Sequence, residues 1–501
     1  MKWKKYRLPV FSMVAAAAFL AICSKSSPLY PMNDWVDVNC FFTVGKSILH
    51  GIVPYRDLYE QKGPILYFYY AVAALFSETS YIGPYILDSI SFGLFLYFSG
   101  KTAQLYLGES KWVYGIVLVL AAAVPTSRAF AHGGSVELIC LWPLIYSLYA
   151  VARAIREKRV LKGWEAFRIG ACCAMVLYIK FTVCGFFLGL ALFVACWYLL
   201  WERRFLPLLK AVGAFLGGIV AVSAAVFAYF LLNGALDDLF TVYFYNNLFL
   251  YPEDIEGSRL TLIWNCLKRT LEVNSGYAPF IYIGLLGLLL QFRRRSREFM
   301  AVLLSFAGLV VGTYWGGRGY TYYGLILAAF AVYGLIAIGE LVEFLRLGSL
   351  YRKILQGRSV ISWILIALLG VGLLWNSYQV SSNVYLMSYK KEDMPQYQFA
   401  EHINQVENAT LLNYGFLDGG FYYAADVLPT CRFFCYLNIP LNDLWTEQRQ
   451  LIQEGQVDFI VTRHYPLTQY SVNSSQYALI DTAQMVFEGY DYTYYLYGKT
   501  E

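Results

Sequence analysis

Long apolar runs recur along this chain from end to end, and they constrain its fold more than any other feature. Segments able to cross a hydrocarbon core of ~30 Å fall near 8–26, 82–104, 112–128, 137–155, 166–182, 183–202, 207–232, 278–292, 298–315, 321–344 and 359–378, which is about eleven spans. Backbone polar groups inside lipid must be satisfied within the segment itself, so runs of this kind read as α-helices. The chain is 58% hydrophobic and 15% charged, where a soluble domain carries about 25% charge. The expectation is an α-helical polytopic membrane protein of the cell (plasma) membrane. Nothing in the charge pattern suggests nucleic acid as a partner.

The net charge of +5 is small; in such a protein the placement of the basic residues carries the information. Basic residues gather in alternate loops, at Arg153, Arg156, Lys158, Arg159, Lys162 and Arg168, at Arg203, Arg204 and Lys210, at Arg293, Arg294, Arg295 and Arg297, and at Arg346, Arg352, Lys353 and Arg358. The opposite loops are mixed or acidic, as in Asp237, Asp238, Glu253, Asp254 and Glu256. The positive-inside rule then puts the N-terminus in the cytoplasm. The N-terminal basic cluster Met1–Arg7 and apolar run to Ile22 read as a retained signal-anchor, because Ile22 is too large for a cleavage site before Cys23. The apolar segment 63–76 is too short to span, and counting it would move the basic loop 153–168 outside. It and 39–50 are therefore expected as two amphipathic helices on the outer surface, joined through Gly51–Lys62. An odd number of spans leaves the C-terminal tail outside.

Two regions follow, a transmembrane part over 1–380 and an extracytoplasmic α/β domain over 390–501. In the second, β-rich runs at Thr410–Phe416, Arg432–Leu437, Phe459–Arg463 and Thr493–Tyr497 alternate with a helix-like Asp443–Gln456. Most of the 10 cysteines sit in apolar runs as small fillers. Cys431 and Cys435 could bond if their region is outside. With 4 histidines and no CxxC or HExxH pattern, a His-built metal site is not indicated.

Charge is scarce, so a cluster of it beside a bilayer needs a reason. The first outer loop holds Asp34, Asp37, Arg56, Asp57, Glu60 and Lys62. The second holds Arg128, His132 and Glu137, Lys180 stands near the outer end of its span, and Arg318 lies in the Gly- and Tyr-rich stretch Tyr314–Tyr323. A carboxylate base beside Arg and Lys at the bilayer edge suits transfer from a lipid-linked phosphate. The base takes the acceptor's hydroxyl proton and the cations neutralise the leaving phosphate. Asp34, Asp37 and Glu137 could also hold a hard divalent cation through oxygen ligands, although nothing requires a cofactor.

On these residues the chain resembles the membrane glycosyltransferases of the GT-C fold, among them protein O-mannosyltransferases and lipid A aminoarabinose transferases. The likeness covers the chain to about residue 380. It rests on an acidic motif in the first outer loop, two surface helices, and Lys62-Gly63-Pro64 opening the second. The family's acidic motif is usually Asp-Glu, whereas Asp37-Val38 keeps only the Asp, so Asp34 stays a competing base. The resemblance implies a polyprenyl-phosphate-linked sugar as donor, membrane lipid around it, and an extracytoplasmic glycan, lipid or protein as acceptor. Asp37, Asp34 and Glu137 are then the catalytic candidates. Arg56, Lys62, Lys180, Arg128 and Arg318 are the candidates for the donor phosphate, and Tyr55, His132, Tyr245, Asn246 and Tyr322 for sugar or acceptor contact.

Each has a plainer reading. Asp37 could cap a helix, Glu137 could complement a helix dipole, the cations could snorkel to headgroups, and the tyrosines could belong to an interfacial belt. A flippase or transporter of lipid-linked saccharides would place ionisable groups near the midplane of several spans, and these spans carry almost none. A polysaccharide polymerase or ligase would use diphosphate-linked donors and Arg-rich outer loops.

Overall fold

A computed structural model of the chain describes residues 4–252, 257–345, 360–487 and 490–500. Lys2, the acidic Glu253, Asp254 and Glu256, and the basic Arg346, Arg352, Lys353 and Arg358 lie outside the described residues. Among the described residues, 8 helices are long and apolar enough to cross a bilayer. They are Lys5–Cys23, Ile82–Leu107, Val136–Arg156, Phe181–Trp201, Phe205–Leu232, Phe292–Tyr314, Thr321–Phe344 and Val360–Val380. Arg259–Val273 and Ala278–Leu290 add a ninth if that pair, bent by 113°, is one broken span.

Three segments read from sequence as spans form shorter helices. Trp112–Ala123 has 12 residues and stops just before Pro125, which has no N–H to continue the helix ladder. Gly163–Leu177 has 15 and gives way to a break at Tyr178–Lys180. Ala278–Leu290 has 13 and ends at Gln291. Hydropathy reports how far a run stays apolar, and a helix can end inside such a run.

The chain divides into two compact units. The first comprises Met1–Ser24, Ile86–Val226 and Glu253–Val384. Val136–Arg156 is its most enclosed span, with 83% of its apolar window buried, against 17% in Phe205–Leu232 and Val360–Val380. Lipid is as apolar as a Leu side chain, so spans associate through close packing, and small residues permit it. Gly185 and Gly189 face Gly308 and Gly312 on the Phe292–Tyr314 helix, and a Cβ on Gly185, Gly189, Gly308 or Gly312 would run into backbone of the opposing helix. Gly284 and Gly334 meet in the same way.

The second unit comprises Lys25–Tyr85, Phe227–Pro252 and Tyr385–Glu501. It holds the two helices expected of the first outer loop, Val36–Leu49 and Pro64–Ala74, whose Pro64 sits in the first turn where its missing N–H costs nothing. Residues 385–501 supply a four-stranded sheet in the order β1-β2-β4-β3. The strands are β1 (Leu411–Tyr414), β2 (Phe459–Arg463), β3 (Tyr477–Phe487) and β4 (Tyr490–Lys499). β1 and β2 are parallel, and the helix Asn442–Gln453 lies in the connection between them, as a parallel crossover requires. β4 pairs antiparallel with β2 and with β3.

Arg432–Leu437, expected as a strand, is instead an irregular strap beside β1, where the Tyr436 N–H donates to the Phe416 carbonyl over 2.9 Å. β3 was not anticipated; a register shift between Leu479 and Asp481 breaks the alternation that would have marked it. The domain and the first-loop helix Val36–Leu49 pack together. Thr43 donates to Asp418 over 2.6 Å, and Lys46 pairs with Asp426.

Gly308→Val should cost about 1–3 kcal/mol through overpacking, read as a lower melting temperature of the purified protein. Gly213→Val, at a position with open space around its Cα, should leave the melting temperature in place.

Candidate functional site

In the second unit the loop after the first span arranges its carboxylates in different ways. Asp34 is buried and bonded to Lys25 over 2.5 Å, with both side chains almost fully enclosed. Its charge is therefore matched within the fold. Asp37 lies in the first turn of Val36–Leu49, where the helix dipole favours a carboxylate. It is half-buried and makes no hydrogen bond or ion pair among the described residues.

Glu60 is buried. It accepts from the Lys62 backbone N–H over 2.9 Å and from the Tyr67 hydroxyl, and the Lys62 ammonium stands 4.0 Å away. That ammonium also sits 5.7 Å from the centre of the Phe41 ring. Burial would pull the Lys62 ammonium down, yet the charges of Glu60 and then Asp37 outweigh it and hold Lys62 above the ordinary lysine value. Asp37, Glu60 and Lys62 therefore share one electrostatic neighbourhood. Arg56, in contrast, is exposed and forked onto Asp57 through two bonds of 2.8 Å.

The remaining second-unit candidates separate by burial. Tyr55 is fully enclosed, has φ +73°, and donates to the Lys62 carbonyl over 2.6 Å, which shapes the loop that presents Lys62. Asn246 is buried and donates to the Tyr59 hydroxyl over 2.8 Å, while Asn247 donates to the Gln61 carbonyl over 2.6 Å. Tyr245 is exposed.

The first unit gathers Glu137, Lys180, His132, Tyr322 and Arg318 into one connected group. Ser135 caps the Val136–Arg156 helix through the Glu137 N–H and donates to the Glu137 carboxylate. Lys180 bonds the other carboxylate oxygen. The Lys180 ammonium lies 3.2 Å from the centre of the Tyr323 ring and 5.7 Å from that of Tyr322. His132 meets Tyr322 edge to face at 5.8 Å, and Arg318 donates to the Tyr320 hydroxyl over 3.0 Å, whose ring stacks on Tyr322. Arg128 stands apart. It is exposed and lines a cleft of about 540 Å³ with Ser127, Ser275, Asn376 and Ser382.

Among the described residues no three His, Cys, Asp or Glu side chains converge as a metal-holding group. Asp34 and Glu137 are each bonded to a lysine instead.

Sequence reasoning singled out neither Lys25 nor Asp418. A lysine just beyond a span reads as a snorkelling residue, and only the fold brings Asp34 to it. Asp418 is fully buried, and it accepts from Thr43, from the Gly420 N–H over 2.8 Å and from Asn413 over 3.2 Å. Glu60 was visible as part of the loop's charge, but its bond to Tyr67 depends on the turn at Gly63.

No protein-family model and no curated protein matches the sequence. The structure, however, is similar to ArnT from Cupriavidus metallidurans bound to undecaprenyl phosphate, with a TM-score of 0.63 over 97% of both chains at 12% identity. It is similar to the apo state of that protein, with 0.55 over 97% of both at 13% identity. It also resembles the Archaeoglobus fulgidus oligosaccharyltransferase in its apo form, with 0.50 over 92% of this chain and 70% of that one at 12% identity. At such identities the likeness is one of fold. The chain has the GT-C fold, as its sequence led one to expect.

Lys180→Met should destabilise the first unit by roughly 3–5 kcal/mol, because it strands Glu137 buried and unpaired. The double variant Glu137→Leu with Lys180→Met should recover most of that loss in a thermal melt. Burial raises the Asp418 carboxyl from 3.8 to about 6. Between about pH 4 and pH 6 the folded state therefore holds a proton that the unfolded state has released, and stability falls as pH rises through that window. Asp418→Asn should flatten that part of the stability–pH curve, measured by melting temperature at stepped pH.

Proposed function

We propose that the chain is an integral-membrane glycosyltransferase that moves a sugar from a polyprenyl-phosphate donor to an extracytoplasmic acceptor with inversion. The observation that carries this is Asp37. It is a half-exposed carboxylate at a helix N-terminus, uncommitted among the described residues and within electrostatic reach of Lys62. The GT-C fold supports the class of protein, and the undecaprenyl phosphate bound by ArnT supports the class of donor. The N-terminus is cytoplasmic, and the first loop and C-terminal domain face outward, as the basic loops indicate.

The acceptor oxygen attacks the anomeric carbon as its proton passes to Asp37. The bond from that carbon to the phosphate oxygen breaks, and polyprenyl phosphate leaves with the electron pair. A single in-line displacement inverts the anomeric centre. Lys62 meets the charge that grows on the phosphate. It suits this role better than Arg56 or Lys180, because each of those is closely bonded to a carboxylate. Glu60 holds Lys62 in place, and Lys25 keeps Asp34 in a supporting role. Arg128 and Arg318 would serve the donor's phosphate as it enters, and exposed Tyr245 would offer a ring face to the acceptor. Tyr55 and Asn246 shape the loops that carry the site. Glu137 with Lys180, His132 and Tyr322 forms a polar group of its own within the first unit.

Asp37→Asn should lower turnover about 10²–10⁴-fold with insertion and melting temperature unchanged. The assay supplies monophosphate- and diphosphate-linked sugars to purified protein, and the monophosphate should be the one consumed. Near wild-type turnover in Asp37→Asn would remove Asp37 as the base.

A further inference from the structure

Cys40 lies on the helix Val36–Leu49, three residues beyond Asp37. Cys435 lies in the strap Arg432–Leu437 of the C-terminal domain, 395 positions along the chain. Both side chains are buried, at 1% and 0% exposure, and their Sγ atoms are 3.7 Å apart. Cys431, the partner that spacing in the sequence suggests for Cys435, instead points its sulfur at the Phe433 carbonyl over 3.8 Å.

We propose that Cys40 and Cys435 are joined by a disulfide that staples the Asp37 helix to the C-terminal domain. The inference rests on the reading that this unit lies outside the cytoplasm, where disulfides persist. Thr43 and Lys46 follow Cys40 at helical spacing and already bind Asp418 and Asp426, so one face of the helix meets the domain at three successive positions. The covalent bond would fix the first of them.

Two thiols give up two protons and two electrons in forming the bond. The oxidant is the disulfide of a thiol oxidoreductase. One cysteine thiolate attacks it to give a mixed disulfide, the second cysteine displaces the oxidant's sulfur, and the oxidant leaves as a dithiol. Burial raises both thiols above their ordinary values, so exchange takes place as the domain docks, and the finished bond is shielded from reductant.

The test blocks intact cells with N-ethylmaleimide, then denatures the full chain in fresh N-ethylmaleimide without reductant, so that buried thiols are also alkylated, and digests it for mass spectrometry. The expected product is the Cys40 peptide linked to the Cys435 peptide, two hydrogens lighter than their sum, with Cys431 alkylated. Cys431→Ser should leave that linked peptide intact. Maleimide on both Cys40 and Cys435, or a Cys431–Cys435 bond, would overturn the proposal. A parallel Ser475→Cys variant, exposed on the domain, is treated with a membrane-impermeant maleimide on intact cells. If it reacts while Cys40 and Cys435 are free thiols, the disulfide fails and the orientation stands. If it does not react, the orientation fails and the disulfide falls with it.

Discussion

A bilayer offers a carboxylate nothing to bond with, so an acidic group held near one must be matched by a cation or donor of the chain itself. The polar parts of this fold follow from that constraint. Asp34 is matched by Lys25, Glu137 by Lys180 and Ser135, and Glu60 by Tyr67 and the Lys62 backbone. Each match fixes a loop in one arrangement, because breaking it would leave a buried charge alone. Asp37 differs from these three. It is half-buried, placed where a helix dipole favours its charge, and left without a bonded partner among the described residues. A carboxylate in that state has oxygens free to meet a group from outside the chain.

Such a group is useful only if it is held still. The helices Val36–Leu49 and Pro64–Ala74 have 14 and 11 residues, lengths at which an isolated helix is marginal in water. Their order comes from packing. Gly45 lets the two helices approach until a Cβ there would touch the Tyr70 backbone. The C-terminal domain grips the first helix through Asp418 and Asp426, and the loop between the helices bonds the strap, with the Tyr59 N–H donating to the Arg432 carbonyl over 2.8 Å. A domain with no candidate catalytic residue of its own thus orders the element that carries Asp37.

How much of this was legible in the sequence depends on the range of the interaction concerned. Helices made by continuous apolar runs were legible, and so were the two helices of the first loop, because hydropathy and Pro64 act locally. A boundary was read between 182 and 183, but its place at Tyr178–Lys180 was not legible, since the run across 166–202 stays largely apolar through it. In the C-terminal domain β2 and the helix Asn442–Gln453 showed their patterns, while β3 hid behind its register shift. Among the candidates, the group Glu137, Lys180, His132, Tyr322 and Arg318 was named one loop at a time, and the fold joins it. The Lys25–Asp34 bond and the burial of Asn246 depend on tertiary packing, and no spacing in the sequence signals either one.

The absence of a Glu after Asp37, where the glycosyltransferases this chain resembles usually carry Asp-Glu, also gains a physical reading. Val38, standing where a Glu would follow Asp37, is 1% exposed among apolar neighbours. A glutamate there would be a buried charge in need of a partner. In this chain a second carboxylate comes from further along the loop. Glu60 lies beside Lys62, and Lys62 feels both Glu60 and Asp37. Two carboxylates acting on one lysine favour its charged form although its side chain is mostly covered, which is what the proposed contact with a phosphate requires. The division of labour follows from exposure. The buried Glu60, bonded to Tyr67 and the loop backbone, sustains the cation, and in the proposed reaction the half-exposed Asp37 is left to exchange a proton.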